Sequence, residues 1–147
     1  MSAHVQFFAA LDRLQRLDTH VMAGRLGPCT PEFLRRRWIT ENGHLTHVMV
    51  PFLDSLQEVE VEVDLDAAVY RYRSTQQRGR IVTGPLAEIA LYALQVDAWL
   101  DDLAALIGIE DRRRSVCRSR VPEHLWHLGD ARIAGTHDFA PVFVARA

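Results

Sequence analysis

Apolar residues recur at steps of three and four along the first third of the chain, which predicts amphipathic helices. Three helices are expected there, over residues 4–24, 30–42 and 44–57. Ser2 can cap the first helix, Thr30 opens the second at its N-cap, and Pro51 would bend the third. This pattern predicts a mainly helical N-terminal part.

The period then changes to two, which is typical of a half-buried strand. Apolar and acidic residues alternate over 58–65, so this segment is predicted to be a strand. Residues 69–73 can pair with it as a hairpin that places Arg71 and Arg73 opposite the acids. A helix that begins near Asp66 fits the same residues almost as well, and both interpretations remain open.

Helical spacing returns over residues 85–107 and ends at Gly108. Two short strands are expected at 124–134 and 139–145, with Gly129-Asp130 as a candidate tight turn and 135–138 as a longer loop. The predicted fold class is therefore α+β, with mainly helical N-terminal residues and a small C-terminal antiparallel β-sheet.

The length favours a single compact domain over residues 1–147. A sub-division is also compatible with the pattern, into a helical part with an acidic strand (1–80) and a winged-helix-like part (83–147).

The composition excludes several classes of protein. The chain has 147 residues, of which 48% are hydrophobic and 24% charged, with a net charge of −2, and these values exclude a disordered or collagen-like chain. No run of about 18 apolar residues occurs, so no membrane span is expected. Cys29 and Cys117 lie outside any motif and are predicted to be free thiols in a reducing cytoplasm. All 17 basic residues are arginine, as expected for a bacterial genome of high GC content, and catalytic lysine chemistry is excluded.

Charge is distributed unevenly. Residues 1–70 carry six arginines and ten acids, whereas residues 71–147 carry eleven arginines and nine acids. Such an asymmetry indicates charged partners.

Residues 101–121 resemble the helix-turn-helix pattern of DNA-binding regulators. Ala104 stands where two helices would touch, and Gly108, four residues later, stands where the chain would turn. The resemblance implies a second, arginine-rich helix that faces a duplex, with the two C-terminal strands as a wing. The nucleic-acid-binding residues expected from it are Arg112, Arg113, Arg114, Arg118, Arg120 and Arg132.

The segment departs from this pattern in three ways. The apolar residue after the turn comes about two positions late, so the turn must be longer than usual. Glu110 and Asp111 lie in the turn and would repel phosphate. The apolar stripe over 85–107 is also unbroken, so the motif needs a helix break near Asp97. The alternative interpretation is one long core helix followed by a solvated basic turn.

Two weaker hypotheses concern metal and catalysis. His20, Glu41, His44 and His47 could form a metal site, although surface or capping roles are the simpler explanation. No serine lies in a Gly-x-Ser-x-Gly context, and Cys29 has no evident orienting group, so enzymatic activity and a cofactor are not expected.

The leading hypothesis is a cytoplasmic nucleic-acid-binding module of regulatory or accessory function. The first alternative is a non-enzymatic adaptor whose acidic strand and terminal hairpin dock another protein or a second copy. The second is a metal-binding helical enzyme or sensor. Trp126, flanked by His124 and His127, is the tryptophan expected to stack on a base or a partner.

Overall fold

The computed structural model describes residues 2–74 and 76–147. Its α-helices are α1 (Ala3–Asp12), α2 (Ala23–Leu26), α3 (Thr30–Arg35) and α4 (Val96–Leu106). Its strands are β1 (Val21–Met22), β2 (Ile39–His44), β3 (His47–Phe52), β4 (Ser55–Glu60), β5 (Glu62–Asp64), β6 (Val69–Arg73), β7 (Ile81–Pro85), β8 (Ala90–Leu94), β9 (Ser119–Val121), β10 (Leu125–Arg132) and β11 (Phe139–Ala145). Short 3₁₀ turns occupy Leu86–Ile89 and Asp111–Arg113.

The fold is α+β but mainly β, with 39% strand and 26% helix. Four small antiparallel sheets are spread through the described residues, in the orders β1-β8-β2, β3-β4, β5-β6-β7 and β11-β10-β9. Among the helices described, α1 and α4 alone reach seven residues, and no helix there is long and apolar enough to cross a bilayer.

The prediction of a mainly helical N-terminal part with one small C-terminal sheet is therefore wrong. The segment predicted as a helix over 44–57 is the β3–β4 hairpin, with Val48 opposite Val59 and Phe52 opposite Ser55. Its apolar residues satisfy a helical spacing as well as a strand period, and only pairing with a second strand distinguishes the two. The winged-helix-like C-terminal half is also wrong, because residues 114–121 form a bridge and a strand where the motif needs a helix.

The other predicted helices are shorter than expected. The first ends at Asp12 and the second at Arg35, after which Arg37 adopts a φ of 60° and the chain enters β2. The segment predicted as a helix over 85–107 begins with a 3₁₀ turn and β8, and only then forms α4. Strand β8 has the sequence Ala-Leu-Tyr-Ala-Leu, which contains no charged residue and shows no apolar–polar alternation that would have indicated a strand.

The predicted C-terminal strand pairing is confirmed. The predicted hairpin over 58–73 is confirmed only for residues 62–71, because residues 58–60 belong to β4 and pair with β3, and Arg73 lies opposite Ile81. The β5–β6 hairpin places Arg71 opposite Glu62, and the Arg71 guanidinium lies 3.2 Å from the Asp64 carboxylate. At the C-terminus, β10 and β11 pair from Leu125 opposite Ala145 to Arg132 opposite Phe139. Gly129-Asp130, however, is no turn, because both residues lie inside β10 next to a bulge.

One hydrophobic core joins the two ends of the chain. At its centre the ring of Phe7 lies 5.0 Å from that of Phe33, 5.3 Å from that of Trp38 and 5.5 Å from that of Trp99. The cluster draws its residues from α1–α3, the β1-β8-β2 sheet, α4 and β10. We call residues 2–44 and 89–147 the body and residues 45–88, between β2 and β8, the arm. The described arm residues contain two buried apolar side chains, Val50 and Val61.

Candidate nucleic-acid interface

The six arginines predicted to bind nucleic acid do not share a helix. Arg112 and Arg113 lie in the 3₁₀ turn, and Arg114 forms a β-bridge with Gly129. Arg120 lies in β9 and Arg132 at the end of β10. The bridge at Arg114, continued by a 3.0 Å hydrogen bond from the Ser115 amide to the Leu128 carbonyl, holds this segment extended along β10.

Carboxylates pair with three of these six arginines. Arg112 Nε donates to the Glu110 carboxylate at 2.7 Å, and this hydrogen bond lowers the pKa of Glu110. Arg114 lies 3.0 Å from the Asp111 carboxylate, and Arg118 is bound to Asp101. Three of the cations predicted to face phosphate are thus already paired with carboxylates of the protein.

The remaining three arginines have other partners. The Arg113 guanidinium lies 3.3 Å from the centroid of the Phe139 ring, a cation–π contact. Arg120 and Arg132 are exposed, and each contacts a histidine, His127 at 3.3 Å and His137 at 2.9 Å respectively. Trp126, predicted to stack on a base or a partner, is 6% exposed and belongs to the core.

The structure does not assemble the predicted metal ligands. Within residues 2–74 and 76–147 no group of three or more histidine, cysteine or acidic side chains is placed to hold a metal ion. His20 contacts the Asn42 side chain, and His44 Nδ1 lies 3.1 Å from the Leu45 carbonyl. Glu41 lies in β2, and His47 lies at the start of β3 beside Thr46.

A pair of short helices lies instead near the N-terminus. A three-residue turn, Gly27-Pro28-Cys29, joins α2 to α3, which is the length and glycine content of a helix-turn-helix connection. Gly27 has a φ of 87°, which glycine adopts without strain. The Thr30 hydroxyl donates to the Gly27 carbonyl at 2.7 Å and secures the turn.

Two buried apolar side chains pack this helix pair against the core. Leu26 of α2 is 2% exposed, and Phe33 of α3 is fully buried against Phe7. The helix start at Thr30-Pro31 was predicted from the sequence and is confirmed by α3. The helix α2 was missed, because the apolar spacing over 4–24 predicted one continuous helix that ends there.

A basic groove lies beside α2. It has a volume of about 470 Å³ and is walled by the loop after α1, strand β1 and the start of α2. Its charged or ionisable lining residues are Arg13, Arg16, His20 and Arg25, and no carboxylate lines it. Arg16 is paired with Asp18 at 2.5 Å, whereas Arg13 and Arg25 make no ion pair within the described chain. We call this surface the basic groove.

The arginines after α3 are less available. Glu32 receives hydrogen bonds from Arg35 and Arg36, with ion-pair distances of 2.6 and 2.5 Å, and these bonds lower its pKa to about 2. Arg36 also lies 5.1 Å from the centroid of the Trp38 ring. Because Glu32 carries one negative charge against two arginines, this cluster keeps a net positive charge, and further positive charge lies at the basic groove and at the exposed Arg37.

A second, larger groove is mainly acidic. It has a volume of about 600 Å³, and three carboxylates line it together with one arginine, Arg118. Because that arginine is bound to Asp101 and is only 14% exposed, the groove offers no free cation to an anion. Of these two grooves, the basic one beside α2 is the one suited to phosphate.

No protein-family model, curated protein or solved structure matches the chain. Its function must therefore be inferred from the geometry and charge of its own surfaces.

Proposed function

We propose that this chain is a nucleic-acid-binding module that uses the α2–α3 pair and the basic groove, rather than the arginine run at 112–114. The observation that carries the proposal is the groove itself: three arginines and a histidine line it, without a carboxylate, beside two helices joined by a three-residue turn. Nucleic acid is the polyanion that helix-turn-helix surfaces bind.

The groove would bind the phosphate backbone. Arg13 and Arg25 have no carboxylate partner to give up. Each guanidinium group can therefore donate two parallel hydrogen bonds to the oxygens of a phosphate. Arg16 would exchange Asp18 for a phosphate. These contacts position a duplex and carry no sequence information.

Base recognition by α3 would be limited. This helix has six residues, and Pro31 and Arg35 are the two that are exposed. Arg35 is already paired with Glu32, and a proline side chain has no hydrogen-bonding group that could read a base edge. We therefore expect an accessory protein with weak sequence preference.

The test is a salt titration of a fluorescent duplex of random sequence, followed by anisotropy. Each neutralised phosphate contributes about −0.9 to the slope of log K against log salt, so Arg13→Ala/Arg25→Ala should weaken binding and flatten the slope by about 2. The matched control is Arg112→Ala/Arg114→Ala, which removes two paired arginines and should leave both quantities nearly unchanged.

Two results would contradict the proposal. The first is an absence of wild-type binding even at roughly 50 mM salt, where electrostatic affinity is high. The second is a larger loss of binding in Arg112→Ala/Arg114→Ala than in Arg13→Ala/Arg25→Ala. That result would place the interface at the arginine run.

A further inference from the structure

The outer face of the β3–β4 hairpin is unpartnered. Residues directly opposite each other in an antiparallel pair point to the same side, so three cross-strand pairs define this face. They are His47 with Glu60, Met49 with Glu58, and Pro51 with Leu56, and all six residues are exposed. The opposite face carries Val48, Val50 and Val59, which are half-buried or buried. We call the exposed side the hairpin face.

The hairpin face is apolar at its tip. Met49 is 57% exposed and Leu56 64%, and Leu53 in the adjoining turn is 81% exposed. A two-stranded hairpin is marginally stable alone, and adjacent exposed apolar residues are typical of a surface that another molecule covers.

The base of the same face is acidic. Glu58 and Glu60 project from it, and neither forms an ion pair with any described residue. The arm as a whole carries four arginines and seven acids. A molecule that covers the hairpin face must therefore combine apolar groups with positive charge.

The chain itself has a surface of that description. The basic groove combines Arg13 and Arg25 with apolar side chains, Leu14, Val21 and Met22. In the described residues no ion pair joins the arm to the body, so a chain does not fill its own groove with its own glutamates. The complementary surfaces remain available to another molecule.

We propose that the hairpin face of one copy docks in the basic groove of a second copy. Two such contacts made reciprocally close a twofold dimer, in which every copy gives one hairpin and receives one. The same guanidinium groups would then bind carboxylates in the dimer and phosphates in the nucleic-acid complex. The dimer and the nucleic acid would therefore compete for the groove. That competition rests on the proposed function, whereas self-association does not.

Charge reversal tests the contact by sedimentation equilibrium of the full chain at low and high salt. The wild type should dimerise at low salt and dissociate as salt is raised. Glu58→Arg/Glu60→Arg and Arg13→Glu/Arg25→Glu should each raise the dimer dissociation constant at least about tenfold, because like charges then face each other. Asp66→Arg, which reverses an acid in the arm outside the hairpin, is the control and should dimerise normally.

The decisive sample is an equimolar mixture of the two double variants. The Glu58→Arg/Glu60→Arg variant carries a basic hairpin and a basic groove. The Arg13→Glu/Arg25→Glu variant carries an acidic hairpin and an acidic groove. Each variant therefore repels its own copies and is complementary to the other variant. The mixture should recover the dimer. A circular dichroism spectrum like that of the wild type establishes that each variant is folded.

Three results would overturn the proposal. They are a monomeric wild type at low salt, a dimer that both reversals leave intact, and a mixture that stays monomeric although each variant is folded. Failure of the nucleic-acid proposal is separate, because it would leave self-association unchanged. Conversely, Glu58→Arg/Glu60→Arg should lose the dimer and keep or gain duplex binding.

Discussion

Gly129 allows two backbone segments to meet where a side chain would separate them. It lies in β10 with a φ of 138°, directly under the segment that carries the arginine run. A Cβ atom placed there would lie 2.8 Å from Arg114 Cα and closer still to the Arg113 carbonyl. This contact is one reason why residues 114–118 lie along the sheet and form no helix.

We expect Gly129→Ala to lower the free energy of unfolding by about 2–4 kcal/mol, since both the backbone conformation and the close approach are lost. Gly135→Ala is the control: it has a φ of 76° but no atom within 4 Å of the added carbon, and backbone strain alone should cost about 1–2 kcal/mol. Urea denaturation measures both variants. Equal losses would show that the contact with Arg113 and Arg114 adds nothing.

The last strand secures the loop that walls the basic groove. Arg146, directly after β11, is 7% exposed, and its guanidinium donates to the carbonyls of Leu14 and Glu123. The Glu123 carboxylate in turn accepts from the Leu17 amide at 3.0 Å. The path of residues 13–17, and with it the position of Arg13, thus depends on elements more than a hundred residues away.

Arg146→Met retains an apolar stem and removes the donors. We expect it to lower the free energy of unfolding by about 1.5–3 kcal/mol, because two carbonyls lose hydrogen bonds to a charged group. Arg120→Met, at an exposed position, should change it by no more than about 0.5 kcal/mol. The comparison is again made by urea denaturation. A stable Arg146→Met would mean that packing alone orders the loop.

The molecule as a whole consists of a body that contains the core cluster and an arm whose described residues do not belong to that cluster. Where the arm leaves and rejoins the body, its ends are adjacent. The Leu45 amide donates to the Ile89 carbonyl at 2.9 Å, and His44 pairs with Ala90. The arm is therefore an extension of one hairpin, β2–β8, rather than a part of the core.

It follows that the arm can be removed. Replacing residues 46–88 by Asn-Gly should join β2 to β8 through a tight turn and leave a body that unfolds in one cooperative transition. Near-UV circular dichroism should retain the signals of Trp38 and Trp99, and the shortened chain should be monomeric. A variant that binds hydrophobic dyes and melts without a transition would show that the arm stabilises the core.

The local patterns that were interpreted correctly are those that need no distant partner. Alternation over 58–65 predicted the β5–β6 hairpin, although residues 58–60 belong to β4 instead. The short strands predicted at 124–134 and 139–145 form the β10–β11 pair, and the Ser2 cap predicted the start of α1. Period and capping depend on neighbours a few residues apart, so the sequence displays them directly.

Tertiary structure decided the rest. The apolar runs that became β3, β4 and β8 fit a helix as well as a strand, and pairing selected the strand. The candidate site depended on distant contacts in the same way. Arg118 is neutralised by Asp101, 17 residues away, while Arg13 and Arg25 remain free because the fold brings no carboxylate into their groove. The number of arginines can be read from the sequence. Which of them lack a carboxylate partner depends on where the fold places the acidic residues.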